Sequence, residues 1–367
     1  MILRRLLSTL LLPALLLAAP IVLADAKAED AATMAAMQND AKNLIKPLPE
    51  PVQMSFCIFD LEGNNGDIAG MARSIAADAK MWNLFITVKV YTDERVAAED
   101  FKAGQCDGVA ISTLRAKEFN RTVGSIDAPG NLPSYDALKE LLKVLSTPAL
   151  ATLGINGRYQ VVGIVPIGSV FVMVNDRNIN SIEKAAGKRV VVMDWDKSES
   201  RMISAIGAQP VPADLTNFSA KFNNGQADII IAPAMAYKPL ELYRGIGTKG
   251  GIIRFPLMQA TGTILIRRDL MLPKIPDLDN RLFQIRQLGL NHLDEIIKLF
   301  TRAESDIPAS TWINLKPADA ERYSHMLREA RLHMTQQGDY EPVMMSLLKR
   351  VRCKMNPGDA ECAMFDE

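Results

Sequence analysis

Lys221 to Ala232 reads KFNNGQADIIIA. The stretch is the end of a helix, a glycine stop, an aspartate and a short apolar strand. Gly225 takes the left-handed φ that ends a helix, a conformation that a β-branched residue reaches only under strain. Ile229, Ile230 and Ile231 form a β-branched run of the length of a buried strand, and Pro233 blocks its continuation. The same pattern stands earlier, where Asp100 to Ile111 reads DFKAGQCDGVAI. Without gaps, Phe101 aligns with Phe222, Gly104 with Gly225, Gln105 with Gln226 and Asp107 with Asp228. Two copies of one helix–stop–strand unit predict two α/β lobes built on one plan. The competing reading is an ordinary helix-to-strand turn met twice by chance.

A chain of 367 residues is long enough for two such lobes, each with its own core. A hydrophobic content of 48% and a charged content of 23% belong to a globular protein. Residues 1–24 read as an export signal: Arg4 and Arg5 start it, Leu6 to Val22 form its apolar middle, and cleavage is expected near Ala24 or Ala26. A permanent anchor is the alternative, but Ser8, Thr9, Pro13 and Pro20 interrupt the apolar run. Losing Arg4 and Arg5 with no acids takes the formal charge from zero to −2. That excludes the basic face wanted by nucleic acid. The expected location is the periplasm.

The four cysteines of an exported chain favour two disulfides. Cys353 and Cys362 flank a short turn, and Cys57 and Cys106 each stand at or just before a strand of the first lobe. Those pairs are expected, with buried free thiols as the alternative. Their spacings do not fit a zinc site.

Along the chain, residues 25–50 read as a loose helix and linker, 51–165 as lobe I, 166–255 as lobe II, 256–310 as a crossing strand with a long bracing helix, and 311–367 as C-terminal helices with a disulfide loop. Asp67 is expected to cap the helix that starts at Ile68. Tyr159 to Val174 is expected to be a hairpin or a strand passing between lobes. One amphipathic helix is expected over Leu278 to Arg302, and Pro317 suits the start of another.

In open α/β sheets ligands sit beyond the carboxyl ends of the strands. Four such ends carry small or polar groups: Asp60 to Asp67 and Ser112-Thr113 in the first lobe, Asp194 to Ser198 and Pro233 to Tyr237 in the second. The candidate ligand-binding residues are therefore Asp60, Glu62, Asn64, Asn65, Ser112, Thr113, Asp194, Trp195, Ser198, Pro233 and Tyr237, with Gln259 from the crossing strand. Trp195 and Tyr237 offer flat walls. Helix starts near Asn65 or Ser198 offer N–H groups to an anion. Each residue taken singly also fits a capping or turn role.

Ser181 to Val190 (SIEKAAGKRV), then Ile206 to Val211 (IGAQPV), then Asn224 to Asp228 (NGQAD) resembles the solute-binding proteins of tripartite ATP-independent periplasmic (TRAP) transporters. The resemblance also takes in Asp100 to Gly108 and covers roughly residues 50 to 270. It implies an α/β, two-lobed periplasmic-binding-protein-like fold of type II, with a hinge and a long lobe-spanning helix. It also implies a small-molecule solute, membrane permease subunits as partners, and no cofactor. The chain is similar, too, to a divergent branch whose members are labelled as aminoglycoside-resistance efflux components, which leaves an accessory drug-binding role as an alternative. Most of the TRAP family place a carboxylate-clamping arginine four residues past the glycine of the Gly-Lys pair. Here that position is Val191, and Arg189 stands two residues earlier. With Asp60, Asp67, Asp194 and Asp196 on the rims, the expected solute is not a simple organic acid.

Enzyme signatures are missing: no Gly-x-Ser-x-Gly elbow, no His-Glu-x-x-His pair and no phosphate loop occurs. His292, His325 and His333 all stand in the C-terminal third, away from the rims. An acid–base pair of Asp194 and Asp196 is the remaining catalytic alternative. The expectation is a monomeric binding protein.

Overall fold

The computed structural model describes residues 32, 35–37, 39–41 and 44–367. The expected signal and its cleavage site lie outside the described residues. The chain divides into a first unit up to Lys46 and a second from Pro47 onward. The first is helical at residues 35–37 and 39–41, and the Ile45 N–H donates to the Ala41 carbonyl.

The second unit opens with β1 (Val52–Phe59), α1 (Asp67–Ala79), β2 (Leu84–Tyr91), α2 (Glu94–Ala103) and β3 (Gly108–Ser112). A helix α3 (Tyr135–Leu145) leads to β4 (Tyr159–Val174), a single strand of 16 residues. Then come β5 (Arg189–Met193), α4 (Lys197–Ala205), β6 (Gln209–Ala213), α5 (Phe218–Asn223) and β7 (Ile229–Pro233). The chain returns through β8 (Gly251–Ile253) and β9 (Met258–Arg267), and ends in α6 (Leu278–Asn291), α7 (Leu293–Ser305), α8 (Pro317–Gln336) and α9 (Pro342–Met355).

The strands line up in the order β2-β1-β3-β9-β4-β7-β5-β6. The first half of β4 and the last half of β9 belong to one lobe; the last half of β4 carries the other. Side chains alternate between faces as a strand requires. In lobe I, Cys57, Val109 and Leu265 enter one core while Met54, Val162 and Ile266 enter the opposite one. In lobe II, Val191, Ile230 and Met173 pack on one face, and Val190, Val192, Ile229 and Val172 on the other.

The duplicated motif closes each lobe with the same hydrogen bonds. Gly104 and Gly225 have φ of 83° and 69°. Gln105 N donates to Asp100 O, and Gln226 N to Lys221 O, both at 2.8 Å, the six-to-one closure of a glycine-stopped helix. Phe101 and Phe222 are both buried. The aspartate then reaches the neighbouring strand. Asp107 N donates to Ser55 O at 2.9 Å and its carboxylate accepts from Ser55 N at 2.7 Å. Asp228 N donates to Arg189 O at 2.8 Å and its carboxylate accepts from Arg189 N at 3.0 Å.

Two local expectations are corrected. Asp67 does not cap α1. Gly66 is the N-cap residue, and the helix N–H of Ala69 donates to Asp60 Oδ2 at 2.9 Å. A Cβ at residue 66 would stand 2.1 Å from Asp60 Oδ1, so this close approach requires glycine. The helix over 278–302 is broken at His292, which has φ −111° and ψ 15°. Gly289 and Asn291, poor helix formers, precede the break while the apolar pattern runs on through it.

The lobes meet where the register of β9 against β4 slips between Ala260 and Thr261. At this slip Asp127 Oδ2 accepts from Thr261 N at 3.0 Å and Oδ1 lies 2.6 Å from Thr261 Oγ1. The hydroxyl chain continues to Thr113 at 2.7 Å and Thr263 at 2.6 Å. All four residues are buried. One Thr261 proton cannot serve both neighbours, so the direction of the chain follows the protonation of Asp127. Burial pushes the Asp127 carboxyl up to about 7, against the two Thr261 bonds. Tyr340, itself raised by burial, also feels the charge of Asp127.

Both disulfides form as paired in the sequence reading, Cys57–Cys106 and Cys353–Cys362. The second folds the tail so that Glu361 meets Arg331 at 2.7 Å and Arg352 at 2.7 Å.

Two predictions follow from these arrangements. The disulfides close loops of 49 and 9 residues. On the chain-entropy estimate, Cys57→Ser with Cys106→Ser costs about 4 kcal/mol, and Cys353→Ser with Cys362→Ser about 3 kcal/mol. Urea denaturation of the two double variants should rank them in that order. Secondly, a carboxyl of ordinary value 3.8 that titrates near 7 when folded holds an extra proton in the native state between those values. Its stabilising contribution is full below about pH 4 and lost as pH rises through 7. Melting temperatures of the wild type should therefore fall relative to Asp127→Asn over pH 4–7; parallel curves would contradict this.

Candidate functional site

One cleft gathers segments that directly follow strand ends of both lobes. Asp93, Glu94 and Arg95 follow β2, Arg115 follows β3, Asp194 and Trp195 follow β5, and Asp214 and Leu215 follow β6. This is where an open parallel sheet presents its loops. The cleft is small, about 160 Å³, below the range of drug-sized sites.

The two walls touch through charge and aromatic face. The Arg115 guanidinium lies 3.9 Å from the centre of the Trp195 ring, crossing from lobe I to lobe II. Arg115 Nε stands 3.9 Å from Glu94 Oε2, an ion-pair separation too long for a hydrogen bond. Glu94 is 1% exposed, and its other oxygen accepts from Ser112 N. Burial pushes its carboxyl up, against the pull of Ser112 and Arg115. Three buried polar atoms here lack a hydrogen-bond partner among the described residues: Glu94 Oε2, Arg115 Nε and Trp195 Nε1.

Beside the cleft, Glu199 of α4 accepts from Met193 N at 2.7 Å, and burial pushes its carboxyl up to about 7. Arg201 of α4 pairs with Asp339, a second bridge between lobe II and the segment that packs on lobe I. Lys117 Nζ lies 4.6 Å from the Tyr340 ring centre, and burial lowers its pKa.

The residues read from the sequence are distributed unevenly. Asp194 and Trp195 line the cleft. Ser112 and Thr113 adjoin it: Ser112 Oγ accepts from Arg115 N at 3.1 Å, while Thr113 belongs to the buried hydroxyl chain. Asp60 is buried and committed to Glu62 N and Ala69 N, both at 2.9 Å. Glu62, Asn64 and Asn65 are exposed on the loop that Asp60 holds. Pro233 pairs with Val170 in the sheet. Tyr237 is buried in the lobe II core with its ring 6.0 Å from that of Tyr243. Gln259 is buried between the crossing strands, its Nε2 3.1 Å from Ser169 Oγ. The side chain of Ser198 lies outside the described residues. Among the described residues no group of three or more His, Cys, Asp or Glu is placed to hold a metal.

The sequence reading did not pick Asp93, Glu94, Arg95, Arg115, Asp214 or Leu215. It weighed four strand ends and passed over those of β2 and β6; an Asp-Glu-Arg run directly after an apolar strand was the available signal. Arg189 stands at the start of β5, away from the cleft end, and is held by Asp228 at 2.8 and 3.0 Å. Asp228 is lowered to about 2, chiefly by that bond. Val191, where the TRAP family places its clamp, is buried in the lobe II core.

Comparison with known proteins gives the family and the fold. A family model described as Solute-binding protein AdeT 1/2 matches residues 65–367. The probable solute-binding protein AdeT1 of Acinetobacter baumannii is 42% identical over 310 residues, which span 84% of this chain and all of that protein. In fold, a TRAP periplasmic solute-binding protein from Desulfovibrio salexigens, solved with orotic acid, superposes with a TM-score of 0.68 at 14% identity, covering 83% of this chain and 99% of the other. The ectoine-binding protein of a Halomonas elongata TRAP transporter gives 0.65 at 14% identity, covering 82% and 99%. Those likenesses establish the two-lobed type II architecture, and the family match establishes the kinship: the chain belongs to the AdeT 1/2 solute-binding proteins.

Proposed function

We propose that this solute-binding protein captures a small organic solute in the cleft between β2–β3 and β5–β6, closes its lobes over it, and delivers it to membrane permease subunits. The observation that carries the reading is that strand ends of both lobes line one cleft and touch across it, Arg115 lying 3.9 Å from the Trp195 ring centre. A solute that bridged the two walls would be gripped by both at once, so its binding would favour the closed form. Glu94, Asp194 and Trp195 are the proposed contacts, and Arg115 lies between them. The rim residues Asp60, Glu62, Asn64, Asn65, Ser112 and Ser198 support the loops around them.

The lobes in this reading are residues 51–165 and 166–255, bending at the slip in β9. The chain binds without turnover, as a monomer in the periplasm, after removal of the signal near Ala24 or Ala26. No helix among the described residues is long and apolar enough to cross a membrane. The solute in this reading is not a simple organic acid, because Val191 stands where the wider TRAP family places its clamp and Arg189 is held by Asp228.

Native mass spectrometry of protein purified from the periplasm identifies what travels with it, and X-ray scattering then follows closure. The radius of gyration should fall when the stripped protein is resupplied with that compound. An unchanged radius at saturation would refute capture by lobe closure.

A further inference from the structure

Arg115 occupies an unusual place for a ligand-binding arginine. Its guanidinium is stacked on Trp195 at 3.9 Å and faces the buried Glu94 carboxylate at 3.9 Å. An aromatic face and a carboxylate beside it are surroundings that recognise an organic cation. Yet neither the Arg115 Nε–H nor Glu94 Oε2 makes a hydrogen bond. The arginine is held there by the ring face and by charge at 3.9 Å, not by a hydrogen bond from Nε to Glu94.

The surroundings disfavour an anion. The lining holds four carboxylates, Asp93, Glu94, Asp194 and Asp214, against two guanidinium groups, Arg95 and Arg115. Arg95 is turned to Asp93 at 3.4 Å. The helix starts near the strand ends, which would otherwise attract a negative group, already carry the chain's own aspartates. Asp93 accepts from Arg95 N at 2.8 Å, Asp60 from Ala69 N at 2.9 Å and Asp196 from Glu199 N at 3.3 Å.

We infer that the cleft takes a solute bearing a protonated amine or guanidinium, and that Arg115 is a built-in stand-in for that group, displaced from the Trp195 face when the solute donates to Glu94 Oε2. The inference rests on the reading of this cleft as the solute site. In it Trp195 supplies the cation-binding face, Glu94 the acceptor, and Asp194 and Asp214 the attraction at the mouth. Removing the stand-in vacates the seat and makes the lining more negative. Both effects act in the same direction, opposite to the loss expected if Arg115 gripped a carboxylate.

The test is calorimetric titration of the purified protein with agmatine, a guanidinium and amine without a carboxylate, and with succinate, at low salt. Agmatine should bind, and Arg115→Ala should bind it at least tenfold more tightly. Glu94→Gln and Trp195→Leu should each weaken it at least tenfold. Trp195→Leu, altering a half-buried side chain, keeps the test alive if Glu94→Gln fails to fold, with circular dichroism reporting the fold. Succinate binding that is tighter than agmatine binding and lost in Arg115→Ala overturns the inference, as does binding of neither. The two readings separate as follows. If succinate contracts the protein in scattering and agmatine does not, the cleft is a solute site of the opposite preference, and only the cation assignment falls. If the co-purified solute binds unchanged to the Arg115→Ala, Trp195→Leu double variant, the cleft itself is not the site, and both fall.

Discussion

Two long strands shared by both lobes set the terms for everything else. β4 runs unbroken from Tyr159 to Val174, and β9 lies antiparallel to it from Met258 to Arg267. Backbone hydrogen bonds hold the pair together along its length, so the lobes cannot drift apart. They can only bend where the pairing is imperfect. The slip at Ala260 and Thr261, opposite Gly168 and Pro166, is such a place. The proline offers no N–H to the ladder there, and Gly168 has φ of 124°. A second register shift lies between Ile264 and Leu265.

That constraint explains why the polar groups near the crossing are so fully used. Asp127, Thr261, Thr113 and Thr263 tie β9 to lobe I at the slip, and Tyr135 reaches from α3 to Ser169 N at 3.2 Å and to Glu304 of α7 at 2.6 Å. Buried polar groups are costly when unpaired, so a bend that broke these bonds would be resisted. The cleft differs in kind. There Glu94, Arg115 and Trp195 each keep one buried atom without a hydrogen-bond partner among the described residues.

Much of this plan was legible in the residues. The Phe-x-x-Gly-Gln-x-Asp repeat gave the two lobes, since glycine and the helix stop it makes are local properties. The role of its aspartate was not legible: Asp107 and Asp228 hold neighbouring strands at Ser55 and Arg189, partners that only topology brings near. The same limit hid the cap of α1. Asp67 stands at the conventional position, but Asp60 wins because the loop turns back on itself. Of the cleft, Asp194 and Trp195 were found because they follow an obvious strand. Glu94 and Arg115 were missed because their meaning is relational. A glutamate in the first turn of a helix is unremarkable until an arginine 21 positions on faces it from one side and a tryptophan covers that arginine from another lobe.

The strand order has a consequence for how the molecule comes into being. β3 is flanked by β1 on one side and by β9 on the other. β3 stands early in the chain, whereas β9 follows β5, β6, β7 and β8. Until β9 pairs with it, that edge of β3 is an open row of unpaired amides and carbonyls. The sheet of the first lobe is therefore completed by a strand that lies beyond most of the second in sequence.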